Sequence, residues 1–117
     1  MRLDRLELGY ERLVSGKQKA EVYFQKGTPG VVEVTTWNQA LKTDQLVGPC
    51  SSIAALKRAY GAKLKPAFQV SPAGKRVVAY RVGNLIFTVA RGQKVGVVAL
   101  GRAATQVFVA LNAPACS

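Results

Sequence analysis

The sequence predicts an α+β fold, in which an antiparallel β-meander of about seven or eight strands carries one short helix. Apolar and polar residues alternate with the period of two that is typical of strands, and Gly, Pro and Asn punctuate the chain between these runs. Only one segment, at about residues 52–60, has apolar residues at helical spacing. A chain of 117 residues, 49% of them hydrophobic and 20% charged, suits a single folded domain over residues 1–117.

Residues 1–44 predict a three-stranded meander. Apolar and polar residues alternate over residues 6–11 and again over residues 20–25, and the polar turn "SGKQ" separates the two runs. A second turn, "KGTPG", contains the Gly and Pro that favour chain reversal. The β-branched run "VVEVTTW", residues 31–37, is typical of a third strand.

The helix is expected directly after the turn "VGPC". Ile53, Leu56 and Tyr60 lie at i, i+3 and i+7, with alanines between them that favour helix. One of the two serines in "CSSI" can cap the helix start, and Gly61 can end the helix. The segment therefore predicts a helix over about residues 52–60.

Five short apolar runs after residue 61 predict the remaining strands. Gly83-Asn84 separates two of these runs with the two-residue spacing of a tight hairpin. In chain order the runs are "AFQV", "VVAYRV", "LIFTVA", "VGVVAL" and "TQVFVAL". Together with the helix they form the basic part of the domain, residues 45–117.

The net charge of +11 is unevenly distributed along the chain. All six acidic residues lie in residues 1–44, where seven bases leave a net charge of +1. Residues 45–117 contain no acidic residue and carry ten bases: Lys57, Arg58, Lys63, Lys65, Lys75, Arg76, Arg81, Arg91, Lys94 and Arg102.

These ten bases are candidate anion-binding residues. A cationic field of this kind attracts nucleic acid, anionic lipid head groups or phosphate polymers of a cell wall. The alternative is that single bases solvate strand edges and loop tips and prevent edge-to-edge pairing. Both interpretations fit, because the bases are scattered singly or in pairs rather than in one continuous run.

The residue types present argue against catalysis. The chain has no histidine, which excludes Ser-His-Asp and Cys-His nucleophiles and the common zinc sites. Glu7 and Glu11 are expected on one strand face, but a catalytic pair needs a shielded pocket and a raised pKa. No calcium-loop or phosphate-loop motif is present. We predict that the protein is not an enzyme and needs no metal or other cofactor.

Cys50, one of only two cysteines, has several interpretations. It precedes a helix N-terminus, which lowers the pKa of a thiol, but the chain offers no histidine base. As a metal ligand, Cys50 could be joined by only one other cysteine, Cys116. A disulfide with Cys116 would close a loop of about 66 residues and stabilise the fold by about 4 kcal/mol. We favour this bridge over two unpaired thiols, and a bridge implies export to an oxidising compartment.

The segment "TTWNQALKTDQLVGPCSSIAALKRAYGAKLKP", with "YRVGNLIFTV" and "VGVVALG" after it, resembles a module of uncharacterised exported proteins and lipoproteins of actinobacteria. The helix is also similar to a motif of small envelope lipoproteins that assist outer-membrane assembly and of β-lactamase-inhibitor proteins. Ser52, Leu56, Tyr60 and Gly61 match that motif, and Cys50 replaces its glycine. The resemblance implies an envelope-associated, non-enzymatic module and assigns no site residue.

We therefore expect a non-enzymatic extracytoplasmic module that binds a protein or an anionic envelope component. The alternative is a nucleic-acid-binding domain, in which Arg81 and the aromatic residues Tyr80 and Phe87 form a phosphate and stacking surface. We favour core positions for Tyr80, Phe87 and Trp37, because large aromatic side chains usually bury. No apolar run reaches the roughly 20 residues of a membrane span, and no signal sequence is recognisable in the given chain. The sequence specifies neither a particular partner nor an oligomeric state.

Overall fold

The computed structural model of the protein describes residues 1–70, 77–89, 94–101 and 116, apart from the side chains of Phe68 and Val70. Short 3-10 turns lie at Glu7–Gly9 and Gly61–Lys63. The helix and strands are, in chain order, β1 (Arg2–Arg5), β2 (Tyr10–Ser15), β3 (Ala20–Gln25), β4 (Glu33–Thr36), α1 (Ile53–Tyr60), β5 (Lys65–Val70), β6 (Val77–Val82), β7 (Leu85–Val89) and β8 (Val95–Gly101).

The eight strands of the described chain form one antiparallel sheet in the order β1-β2-β3-β4-β8-β7-β6-β5. Strands β1 to β4 form one meander and strands β5 to β8 form a second one. The two meanders join along their last strands, where Val34 of β4 lies opposite Leu100 of β8. This architecture confirms the predicted α+β fold with an antiparallel sheet and one short helix.

Helix α1 begins and ends where the sequence predicts. The Ser52 hydroxyl accepts a hydrogen bond from the backbone N–H of Ala55 at 3.0 Å, which caps the first turn. Gly61 follows the last turn with a φ of 52°, a conformation that glycine adopts without steric cost. Leu56 is completely buried, and the Tyr60 ring lies 5.5 Å from the ring of Phe87. The helix therefore packs on the second meander.

The sheet has two faces with different contents. On the face that carries α1, which we call the helix face, Val47, Leu56, Phe87, Val95 and Val98 form a buried apolar cluster. On the opposite face, a small cluster of Ala79, Ile86 and Ala99 is buried in the second meander. The same opposite face buries polar side chains in the first meander: Glu21, Tyr23, Glu33 and Thr35.

The predicted first strand, over residues 6–11, is wrong. Its first half forms the 3-10 turn Glu7–Gly9, which joins β1 to β2, so the N-terminal part has four strands instead of three. The turn is closed by a hydrogen bond from the N–H of Leu6 to the carbonyl of Tyr10, and Leu8 adopts a φ of 59°. A left-handed leucine is uncommon, so alternation alone could not reveal this turn.

In strand β3 the more deeply buried side is also unexpected. The alternation suggested an apolar side made of Ala20, Val22 and Phe24, but these three residues are only half-buried, whereas Glu21 and Tyr23 are buried. The four predicted strands from "AFQV" to "VGVVAL" match β5 to β8, with β5 beginning two residues early. The fifth, "TQVFVAL", lies outside the described residues.

Candidate functional site

Four of the predicted anion-binding residues form one basic stretch at the C-terminal end of α1. Lys57 and Arg58 lie in the last turn of the helix, Lys63 lies in the 3-10 turn that follows, and Lys65 begins β5. All four residues are exposed. We call them the helix-end basic patch. Because residues 45–117 contain no acidic residue, no acidic side chain from this part of the sequence can neutralise the patch.

Arg81 of β6 lies on the sheet face opposite α1, because it pairs with Ile86 of β7. It is half-buried and lies directly opposite Lys65 in the β5–β6 pairing. Lys94, also exposed, lies away from the patch, beside Ser52 at the start of α1. The remaining candidates lie outside the described residues: Lys75, Arg76, Arg91 and Arg102.

Among the described residues, Tyr80 and Phe87, the two aromatic candidates for nucleic-acid stacking, belong to the buried side of the helix face. Phe87 is completely buried beneath α1. Tyr80 is half-buried and packs against the same cluster. Trp37, at the end of β4, is half-buried, and its backbone N–H donates to the carbonyl of Lys19 at 3.0 Å. Phe87 and Tyr80 therefore contribute to the core.

Cys50 and Cys116 form a disulfide, with their Cα atoms 5.5 Å apart. The backbone N–H of Cys50 donates to the carbonyl of Val95 at 2.6 Å, and the N–H of Val95 donates to the carbonyl of Ser51 at 2.8 Å. These bonds join the entrance of α1 to the first residue of β8. Since its sulfur is in the bridge, Cys50 is available neither as a nucleophile nor as a metal ligand.

The turn before Cys50 is tightly packed. A Cβ atom at Gly48 would collide with the carbonyl oxygen of Leu41, so only glycine fits there. The N–H of Gly48 donates to the hydroxyl of Ser51 at 3.0 Å, and the hydroxyl of Tyr60 donates to that of Thr43 at 2.8 Å. The motif "VGPCSS" is thus a structural junction between loop, helix and sheet.

A buried polar network, which the sequence did not reveal, crosses the opposite face of β1 to β4. Arg12 contacts Asp4 at 2.9 Å and Glu21 at 3.6 Å. Glu21 accepts hydrogen bonds from the hydroxyls of Tyr23 at 3.3 Å and Thr35 at 3.4 Å. The sequence does show that the acidic residues are concentrated in residues 1–44. Only the strand register places these side chains together.

The pKa of three members of the network, Asp4, Arg12 and Tyr23, departs from its ordinary value. Hydrogen bonds from Arg12 and, next, from Arg2 lower the pKa of the Asp4 carboxyl below its ordinary value. Burial, together with the negative charge of Glu21, raises the pKa of the Tyr23 hydroxyl to about 12. At neutral pH the network therefore holds Asp4 ionised and Tyr23 protonated.

The acidic residues do not form the pairs expected of a catalytic or metal site. Glu7 lies in the 3-10 turn and Glu11 lies in β2, so the expectation that they share one strand face is wrong. Within the described residues, no group of three or more His, Cys, Asp or Glu side chains is placed to hold a metal ion. None of the described helical segments has the length and apolarity that a membrane-crossing helix needs.

Comparison with protein-family models, with curated proteins and with solved structures finds no match for this chain.

Proposed function

We propose that the protein is a non-enzymatic extracytoplasmic module that binds an anionic polymer of the cell envelope through the helix-end basic patch. The observation that carries this proposal is the presence of four exposed bases between Lys57 and Lys65, in a stretch of sequence without acidic residues. A polymer with regularly spaced phosphates offers many equivalent contacts to such a patch, and binding releases its counterions.

An extracytoplasmic location is supported by two observations. The Cys50–Cys116 disulfide is of the kind that persists in oxidising compartments. The resemblance to exported actinobacterial modules points to the same location. Alkylation of free thiols in the cells that produce the protein, before lysis, tests this part of the proposal. We expect no alkylation of either cysteine, and reduced cysteines in the native compartment would contradict export.

Binding is tested with the full oxidised chain and long-chain polyphosphate as the probe. We expect measurable affinity at low salt that falls steeply as salt is added. The variant K57Q/R58Q/K63Q/K65Q should bind about tenfold or more weakly, because four exposed charge contacts each contribute roughly 0.2–1 kcal/mol.

The matched control removes the same number of charges elsewhere. K17Q/K19Q/K26Q/K42Q replaces four exposed lysines of the N-terminal part, and we expect it to weaken binding less than about threefold. An equal loss in both variants would show that net charge alone drives binding and would overturn the assignment to the patch. Tighter binding to mixed-sequence duplex DNA, at equal phosphate concentration, would favour the nucleic-acid alternative.

A further inference from the structure

The helix face has a row of apolar side chains that crosses seven strands. Each member lies directly opposite the next one in the strand register. From the edge strand inwards, the row consists of Leu3, Leu13, Val22, Val34, Leu100, Leu85 and Val82.

Only one end of this row belongs to the core. Leu85 and Val82 pack against the buried cluster beneath α1. At the other end, the side chains of Leu3, Val34 and Leu100 are 55%, 36% and 53% exposed. A contiguous apolar row on a protein surface typically marks a contact site rather than a solvated face.

The charges around the open end of the row are balanced. Arg5 of β1 lies opposite Glu11 of β2, two residues along each strand from Leu3 and Leu13, and hence on the same face. Four members of the row, on β1 to β4, lie in residues 1–44, which have a net charge of +1, whereas the other three lie in residues 45–117, which carry +10. An anionic partner is therefore drawn away from the β1–β4 end of the row, towards the basic part.

A second copy of the chain fits this face better than a charged partner does. An isologous interface needs a patch that is complementary to itself, and here each copy supplies both an acid and a base beside an apolar row.

We propose that the open end of the row, together with the Arg5–Glu11 pair, is the contact surface of a homodimer in which the helix faces of β1–β4 and β8 of two copies pack about a twofold axis. Five strands spaced about 4.8 Å apart give a face roughly 24 Å wide. Such a face supports an interface of about 1,000–1,200 Å² in total, at the low end of specific complexes. The dimer is accordingly weak, with a Kd in the range from about 1 μM to about 1 mM. This inference does not depend on anion binding.

Sedimentation equilibrium of the full oxidised chain tests the dimer. Between about 10 μM and about 1 mM protein, at a salt concentration that screens the net charge, we expect the weight-average mass to rise from 12.5 kDa towards twice that value. L3K and L100K should each raise the Kd about tenfold or more, because each places a charge in the apolar contact.

L8K is the matched control. Leu8 is 87% exposed but lies in the 3-10 turn rather than on a strand face, so L8K should leave the Kd within about twofold. Circular dichroism verifies that each variant is folded, and two separate variants protect the test against the failure of one. A wild-type chain that stays monomeric over the whole range overturns the proposal, and so does a dimer that is equally sensitive to all three substitutions.

Discussion

The two four-stranded meanders share a topology but are stabilised differently. Strands β5 to β8 lie beneath α1. Phe87, a completely buried residue of β7, packs against the helix. Strands β1 to β4 instead bury a polar network around Glu21, and their apolar helix-face side chains, such as Val34, are partly exposed. The second meander thus has an apolar core of its own, whereas the first depends on hydrogen bonds and ion pairs whose net contribution is smaller.

The difference in stabilisation between the two meanders affects which of them can tolerate a strongly basic surface. Lysine and arginine side chains repel one another, and that cost must be offset by other contacts. The helix-end basic patch belongs to the half that has α1, the apolar cluster and the disulfide. The near-neutral half has none of these three and is the half with both acids and bases. Stability and charge are therefore concentrated in the same part of the fold.

Among the changes that test the difference between the two meanders, loss of the disulfide should have the largest effect on stability. The double variant C50S/C116S removes the constraint on a 66-residue separation, and we expect the free energy of unfolding to fall by about 4 kcal/mol. Urea denaturation of the oxidised wild type and the variant measures the difference. If the second meander depends on the bridge, amide hydrogen exchange should accelerate more in α1 than in β3.

Equal acceleration in α1 and β3 would show that both meanders unfold as one unit, and would remove the distinction between their stabilities. The wild type treated with a reductant serves as the control, because it loses the bridge without a change of residue. It should reproduce the loss of stability within about 1 kcal/mol.

The second meander was the easier half to predict from sequence. Its strands are continuous apolar runs bounded by turn residues, so Gly83-Asn84 alone separates β6 from β7. Helix α1 was predictable because its serine cap, its apolar spacing and Gly61 all agree.

The first meander was harder, for two physical reasons. Leu8 and Gly9 both adopt positive φ and split what alternation presented as one strand. The Glu21 side of β3 is buried because Arg12 and Thr35 compensate it from neighbouring strands. Such compensation depends on the register between strands, which the alternation within a single strand does not show. The bases of the patch were predictable by type, but their exposure was not.

Truncating one apolar side chain in each meander compares how well the two meanders are packed. Leu56 is completely buried beneath the helix, and L56A should lower the free energy of unfolding by about 3 kcal/mol through lost burial and a cavity. Val34 is 36% exposed, and V34A should lower it by less than about 1 kcal/mol. Both values come from urea denaturation of the monomeric protein at low concentration. Comparable losses at the two sites would mean that the row in the first meander is as well packed as the core.

The smallest expected effect is a pH dependence of stability that arises from Tyr23, in the polar network of the first meander. Tyr23 has a pKa of about 12 in the folded chain and of 10.0 without the fold. The unfolded chain therefore releases this proton first as pH rises, which favours unfolding. The stabilisation is fully present below pH 10 and is lost between pH 10 and about 12.

Y23F isolates this contribution, because it retains the ring and removes the ionisable hydroxyl. From about pH 9 to about pH 11.5, the wild type should lose about 2 kcal/mol more stability than Y23F, as measured by urea denaturation at both pH values. Near neutral pH, by contrast, the wild type should be the more stable protein. Y23F lacks the hydrogen bond to Glu21 and should be about 1 kcal/mol less stable there. Parallel pH profiles for the two proteins would show that Tyr23 is not held in a buried, anionic environment. The first meander would then owe its stability to backbone pairing rather than to the network.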